Sequence, residues 1–292
     1  MILPKVSIIV PTYNRAHMVT ETIDSILAQT FKDFELIVVD NESADNTEEV
    51  IKSYPDQRIR YFKHQNNGVV AVNRNYGIGK AQGQYIAFCD DDDLWLPEKL
   101  ERQVELLDSN KELGLVYSDC YVIDSSGDLR KGTYFVSRKP VRGNAFGELF
   151  QHNLIPLSTA IVRREVLDRV EGFNPGYKIC QDYDLWLRIA ERYPIDFVEQ
   201  PLAKFRVHSG SIYQKHTALA YRENLQIMNY WLNRNPDLKR ELGGKIRRKK
   251  ALLCRAAFLV AISHVYRNKN MKSMREFGNL VKYLLLPRHS LH

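Results

Sequence analysis

A chain of 292 residues, 44% hydrophobic and 26% charged, has a globular balance that excludes wholesale disorder and suits one large domain or two modest ones. The formal net charge of +7 conceals a division. From Lys239 to His292, fourteen Lys and Arg face two acids, while residues 1–238 carry 28 bases and 33 acids, so only the tail suits an anionic partner.

Val6-Ser7-Ile8-Ile9-Val10 is a β-branched run with the pattern of a strand buried on both faces, and Pro11 predicts its end. Apolar positions Val19, Ile23, Ile26 and Leu27 then recur at helical spacing. Phe34 to Val39 reads as a second buried strand ending at Asp40, followed by a short helix through Asn46 to Tyr54. A strand over Arg58 to Phe62, a helix over Val69 to Ala81 and a buried strand over Tyr85 to Cys89 complete the pattern. Strands alternating with helices at these distances predict right-handed βαβ units around a parallel sheet. After about residue 113 the rhythm changes. Leu115 to Ser118 and Cys120 to Ile123 read as two strands, Asp124 to Asp128 as a turn, Ala160 to Val162 as a strand and Tyr183 to Arg192 as a helix. From Thr217 the chain reads mainly helical, with a break at Asn235-Pro236. The expected fold is α/β, a mostly parallel twisted sheet with helices on both faces, then a mixed half and a basic helical tail. The expected divisions are 1–113, 114–215 and 216–292.

Cys89, Cys120, Cys180 and Cys254 form no C-x-x-C pair, which excludes a zinc knuckle or a disulfide framework and suits a reducing cytoplasm. The first residues lack a secretory pattern, and no stretch approaches the roughly 20 apolar residues that span a bilayer.

In an open parallel sheet, ligands bind beyond the carboxyl ends of the strands. Here those ends carry Pro11-Thr12-Tyr13-Asn14-Arg15, Asp40-Asn41-Glu42-Ser43 and Asp90-Asp91-Asp92-Asp93. Adjacent carboxylates at a low-dielectric strand end raise one another's pKa unless a cation compensates. On an extended segment Asp90 and Asp92 face one side. Such hard oxygen ligands suit Mg²⁺ or Mn²⁺ together with a substrate phosphate, and a solvated acidic turn is the competing reading. Gly77, Gly79 and Gly83 miss the dinucleotide spacing and precede a strand, and no Walker A sequence is present.

In joint order, the segments Val6–Arg15, Phe31–Asp40, Asn73–Asn75, Gly83–Pro97, Gln181–Arg188 and Pro201–His208 resemble the family 2 glycosyltransferases of GT-A fold, over roughly residues 5 to 212. The resemblance implies an inverting enzyme using a nucleoside diphosphate sugar, most simply a UDP-sugar, with Mn²⁺ or Mg²⁺ as cofactor. It implies that Thr12, Tyr13 and Asp40 hold the donor base within the Pro11–Asn14 and Asp40 loops, with Arg74 beside it. Its acidic metal motif falls on Asp90-Asp91-Asp92, with Asp92 the principal ligand and Asp90 or Asp91 nearer the ribose or metal-bound water. His208 matches a position that can supply a further ligand, or it is a hydrogen-bonded loop histidine. Asp93 either caps the following helix or faces the acceptor.

Transfer to a hydroxyl needs a base, and Asp182 aligns with the family's acidic motif, although Gln181 replaces an acid commonly found before it. Asp184 competes for the role, and either acid could simply stabilise the helix start. Trp95 and Trp186 read as core. Lys245-Ile246-Arg247-Arg248-Lys249-Lys250, followed by Leu252, Leu253, Ala256, Leu259, Val260 and Ser263, reads as a cationic amphipathic helix. It either attaches to an anionic membrane surface or packs as a solvated bundle. The expected partners are a nucleotide-sugar donor and a glycan or polyprenyl-linked saccharide acceptor, with no nucleic acid. The expected location is cytoplasmic, peripheral at the inner face of the cell membrane if the tail binds it. The competing functions are a sugar-nucleotide nucleotidyltransferase and a non-catalytic carbohydrate-binding protein.

Overall fold

The computed structural model describes residues 3–136, 139–208, 210–211, 216–238, 240, 243–244, 248 and 250–253. Two compact units divide the chain at 208/209. In the first, the elements run β1 (Val6–Thr12), α1 (Ala16–Leu27), β2 (Phe34–Asp40), α2 (Thr47–Lys52), β3 (Ile59–Lys63), α3 (Val70–Lys80) and β4 (Tyr85–Phe88). They continue with β5 (Leu94–Trp95), α4 (Lys99–Ser109), β6 (Leu115–Ile123), β7 (Leu129–Thr133), α5 (Phe146–Gln151) and a short 3₁₀ turn at Leu157–Thr159. The unit ends with β8 (Ile161–Arg163), α6 (Arg164–Arg169), α7 (Gln181–Ala190) and β9 (Ile195–Arg206). The second unit contains α8 (Thr217–Arg234), which stops before Asn235-Pro236 as the sequence predicts. Most of the cationic segment from Lys245 to Ser263 lies outside the described residues.

Among the described residues one sheet takes the order β3-β2-β1-β4-β8-β6-β9-β5, with β7 on the edge of β6. β1, β2, β3 and β4 are parallel, as the βαβ rhythm predicts. Beyond them β8 runs antiparallel to β4 and β6, β9 runs parallel to β6, and β5 runs antiparallel to β9. The sheet therefore continues across residue 113 without a break. Val6, Ile8, Val10, Leu36, Val38 and Ala87 anchor a core completed by Val19, Ile23 and Ile26 of α1. These fully buried β-branched runs are what a sheet covered on both faces requires.

Pro11 does not end β1. The strand continues to Thr12, with Pro11 opposite Val39 and Thr12 opposite Asp40. Pairing with β4 has stopped at Ile9–Phe88, so the N–H that proline lacks has no strand to meet on that side. The two strands expected at 115–118 and 120–123 are one, β6, bulged beside β9 at Ser118–Cys120. The buried Asp119 makes the bulge tolerable. Its Oδ1 accepts from the amides of Cys120 (2.7 Å) and Phe135 (3.2 Å).

The glycines serve close packing. A Cβ on Gly83 would lie 2.5 Å from the Ser7 nitrogen, and one on Gly77 would lie 2.7 Å from Ile9 Cγ2, so α3 and the chain after it press directly on β1.

Lys99 is wholly buried at the start of α4. Its ammonium donates to Gln103 Oε1 at 2.8 Å and sits 4.0 Å from the Trp95 ring centre. Burial pulls its pKa from 10.5 to about 7. The folded protein thus binds fewer protons than the unfolded chain between those values. The resulting stability deficit is greatest below pH 7 and fades as pH rises toward 10.5. Lys99→Met, after allowance for the bond lost by Gln103, is expected to stabilise the fold by about 2 kcal/mol at pH 7. Thermal melts across pH 6–10 should show the variant gaining most at the acid end.

Candidate functional site

The order β2-β1-β4 reverses chain direction along the sheet at β1, so the carboxyl ends of these strands meet at a switch point. After Thr12, Tyr13 is exposed (54%) and Asn14 adopts a left-handed backbone (φ 51°), which asparagine tolerates well. Asn14 stitches this loop to the one after β2. Its amide donates to Ser43 Oγ (2.8 Å) and its Oδ1 accepts from the Ala44 amide (2.7 Å). Asp40 lies beneath, fully buried. Its Oδ1 accepts from the Ser43 hydroxyl at 2.6 Å, and its Oδ2 from the Tyr61 hydroxyl at 2.5 Å.

The four aspartates after β4 do four different things. Asp90 pairs with Arg74, a buried arginine on α3. Asp91 turns back to β1, where Thr12 Oγ1 donates at 2.8 Å and Arg15 Nη1 at 2.7 Å. Asp92 Oδ2 receives the same Arg15 nitrogen at 2.8 Å and lies 2.9 Å from His208 Nε2. Asp93 is buried, accepting from Ser158 Oγ (2.5 Å) and the Arg206 amide (2.8 Å). It therefore neither caps α4, whose N-cap is Glu98, nor faces an acceptor. Burial pushes Asp91 up to about 6 against the pull of Arg15, and it pushes Asp93 well above the usual carboxylate range, helped by Asp92 and Asp90.

Arg206 fixes the end of β9 to this run. Its Nε donates to the Asp92 carbonyl (2.8 Å) and its Nη2 to Glu21 Oε2 on α1 (2.5 Å). This anchorage delivers His208, two residues later, to Asp92.

Asp182 stands in the first turn of α7, partly exposed. Its Oδ1 accepts from the Tyr183 amide (2.7 Å) and its Oδ2 from Asn153 Nδ2 (3.2 Å). Burial raises its pKa, while Arg74 lowers it and Asp90 raises it, so its charge is coupled to the β4 end. Asn75, next to Arg74, clamps the loop that leads to α7. Its Nδ2 donates to the Phe173 carbonyl (2.7 Å) and its Oδ1 accepts from the Phe173 amide (2.8 Å). Asp184 does not compete for the same position. It is buried and tied to Arg188 at 2.8 Å. Gln181, buried, donates to the Lys178 carbonyl at 3.3 Å. Trp95 and Trp186 are core, donating to the Ser158 (2.8 Å) and Ile155 (3.1 Å) carbonyls.

The donor set fits a divalent cation. Asp90 and Asp92 each bring a carboxylate oxygen into a group with Asp93 in which all lie within 4.8 Å. An imidazole nitrogen meets the same Asp92 oxygen, and carboxylate with imidazole suits Mn²⁺. With both its oxygens already hydrogen-bonded, Asp93 contributes structure. No local signal in the sequence marks Ser158, Asn153 or Arg206 for a role. Arg15 alone carries one, as the cation closing the run at the end of β1.

A model of glycosyl transferase family 2 matches residues 7–171, more than half of the chain. The chain belongs to this family. An uncharacterized glycosyltransferase of Rickettsia felis is 37% identical over 70% of this chain and 35% of its own length, so the match spans about a third of that relative. The UDP-Glc:α-D-GlcNAc-diphosphoundecaprenol β-1,3-glucosyltransferase WfgD of Escherichia coli is 30% identical over 71% of the chain and 79% of its own length. The mannosyltransferase PcManGT of Pyrobaculum calidifontis, solved with GDP-Man and Mn²⁺, superposes with a TM-score of 0.63 at 20% identity, covering 98% of this chain and 86% of its own. The fold of this family 2 glycosyltransferase is accordingly GT-A, as the strand order and the motif order both lead one to expect.

Proposed function

We propose that this enzyme is an inverting, metal-dependent transferase that moves a sugar from a nucleoside diphosphate donor, most simply a UDP-sugar, to a hydroxyl of a glycan or lipid-linked saccharide. The observation that carries the reading is the convergence of Asp90, Asp92 and His208 at one end of β4, with Asp182 close enough to feel the charge of Asp90. WfgD, by its name, takes UDP-Glc and a diphosphoundecaprenol-linked acceptor, which supports both choices. PcManGT, bound to GDP-Man and Mn²⁺, supports the cation and keeps guanosine, with thymidine, as an alternative base to uridine.

In this reading Tyr13 offers its exposed ring to the base, and the Pro11–Asn14 loop with Thr12 frames it. Asp40, held by Ser43 and Tyr61, exchanges one of these partners for a base or ribose donor. Arg74 and Asp91 border the ribose and diphosphate. Asp92 and His208 would hold Mn²⁺ or Mg²⁺, with Asp90 beside them. When bound, the cation neutralises charge developing on the departing diphosphate. Asp182 accepts the acceptor hydroxyl's proton. Tyr183 fixes Oδ1, Asn153 steadies Oδ2, and burial makes the carboxylate a stronger base than an exposed one. Residues 1–113 act as the donor half, 114–215 as the acceptor half, and 216–292 as the basic region that meets an anionic membrane face. No helix among the described residues is long and apolar enough to cross a membrane.

The test is product analysis with UDP-, GDP- and dTDP-sugars, with and without Mn²⁺. Metal-dependent release of the nucleoside diphosphate is expected. Release of sugar 1-phosphate and a nucleoside triphosphate when pyrophosphate is added would instead identify a nucleotidyltransferase, and no turnover of any donor under either condition would favour a binding protein.

A further inference from the structure

The carboxylates at the β4 end already have cations of their own. Arg74 pairs with Asp90, and one nitrogen of Arg15 spans Asp91 Oδ1 (2.7 Å) and Asp92 Oδ2 (2.8 Å). That Asp92 oxygen is the one His208 Nε2 approaches at 2.9 Å, so the guanidinium occupies the position from which a divalent cation would draw its principal ligand. Arg15 is no core residue. Its side chain is 22% exposed, and it sits at the N-cap of α1, making no side-chain cap bond there. It can leave Asp92 while staying on Asp91.

Resting on the metal reading above, we infer that Arg15 is a resident counter-ion that competes with the divalent cation for Asp92, so that cation and donor diphosphate bind cooperatively. Alone, the cation must displace a like charge, which the buried Asp91 then keeps close by, and the repulsion weakens binding. When the diphosphate arrives with it, the released guanidinium finds new acceptor oxygens, because arginine pairs well with phosphate. The coupling is reciprocal: the diphosphate tightens the cation as much as the cation tightens the diphosphate. Arg15 is thus a positioning residue that ties cation uptake to donor arrival.

The experiment measures free Mn²⁺ by electron paramagnetic resonance over the full chain at pH 7.5, alone and with uridine or guanosine diphosphate. The wild type should bind Mn²⁺ at least about tenfold more tightly with the nucleotide present. Arg15→Gln should bind Mn²⁺ alone about tenfold more tightly than the wild type, and the nucleotide should tighten it by a smaller factor than it does in the wild type. A loss of structure would weaken binding, so a gain separates this role from a structural one. Arg15→Lys, which keeps the charge but not the planar fork, should fall between the two. Equal Mn²⁺ affinities in wild type and Arg15→Gln, with Asp92→Asn losing the ion, would overturn the role of Arg15 and leave the metal site standing. No Mn²⁺ uptake by any of these proteins, with or without nucleotide, would overturn both.

Discussion

Asp182→Asn is expected to lower sugar transfer by about 10²- to 10⁴-fold, the range of general-base catalysis, while leaving metal-dependent nucleotide binding within about twofold of the wild type. The amide keeps the shape that receives the Tyr183 N–H and changes little in packing, so lost turnover reports the missing base. The pH profile carries a second signature. Asp182 works ionised, and burial raises its pKa above 3.8, so transfer should fall as pH drops through that raised value. The acid limb therefore lies above the position an exposed aspartate would give. Near-normal kcat in the asparagine variant would remove Asp182 from the reaction.

The second large effect belongs to Asp92. Asp92→Asn removes the charge that faces both Arg15 and His208, yet retains an oxygen for hydrogen bonding. Mn²⁺ affinity in the presence of nucleotide should fall about 100-fold or more, and donor binding should fall with it. Thermal stability should change little, because Asp92 is partly exposed and its asparagine keeps an oxygen for Arg15 and His208, whereas Asp93 is the buried strut of the run. Asp93→Asn makes the contrast: it disturbs the bonds to Ser158 and Arg206 and should lower the melting temperature. The two variants together separate the residue that meets the ligand from the residue that holds the loop.

These contrasts mark where sequence reasoning reaches its limit. The buried strands β1, β2 and β4 are legible because short runs rich in β-branched and aromatic residues, too short for a helix and bounded by turn residues, favour a strand. β9 is not. Its residues Ile195–Arg206 alternate irregularly between buried and exposed and include Pro201, and the strand exists because β6 and β5 flank it. β6 reads as two strands because Asp119 interrupts it, and the bond that excuses Asp119 comes from Phe135, sixteen residues away. In the site, Asp90, Asp91, Asp92 and Asp182 are marked by local motifs. Only the resemblance to the family's motifs separates Asp92 from Asp93 and Asp182 from Asp184; composition and spacing alone do not. Ser158, Arg206 and Arg188 decide those cases. The first two are 65 and 113 residues from Asp93, and only the folded chain brings them to it.

In the proposed mechanism Asp92 and His208 hold one cation, and that cation grips the donor's diphosphate. Crystals of the full chain soaked with Mn²⁺ and whichever nucleoside diphosphate the donor panel selects test it directly. Density for the ion bridging Asp92, His208 and the diphosphate oxygens, with Arg15 moved off Asp92, is the predicted result. A diphosphate bound with Arg15 still on Asp92, and the ion elsewhere, would contradict it.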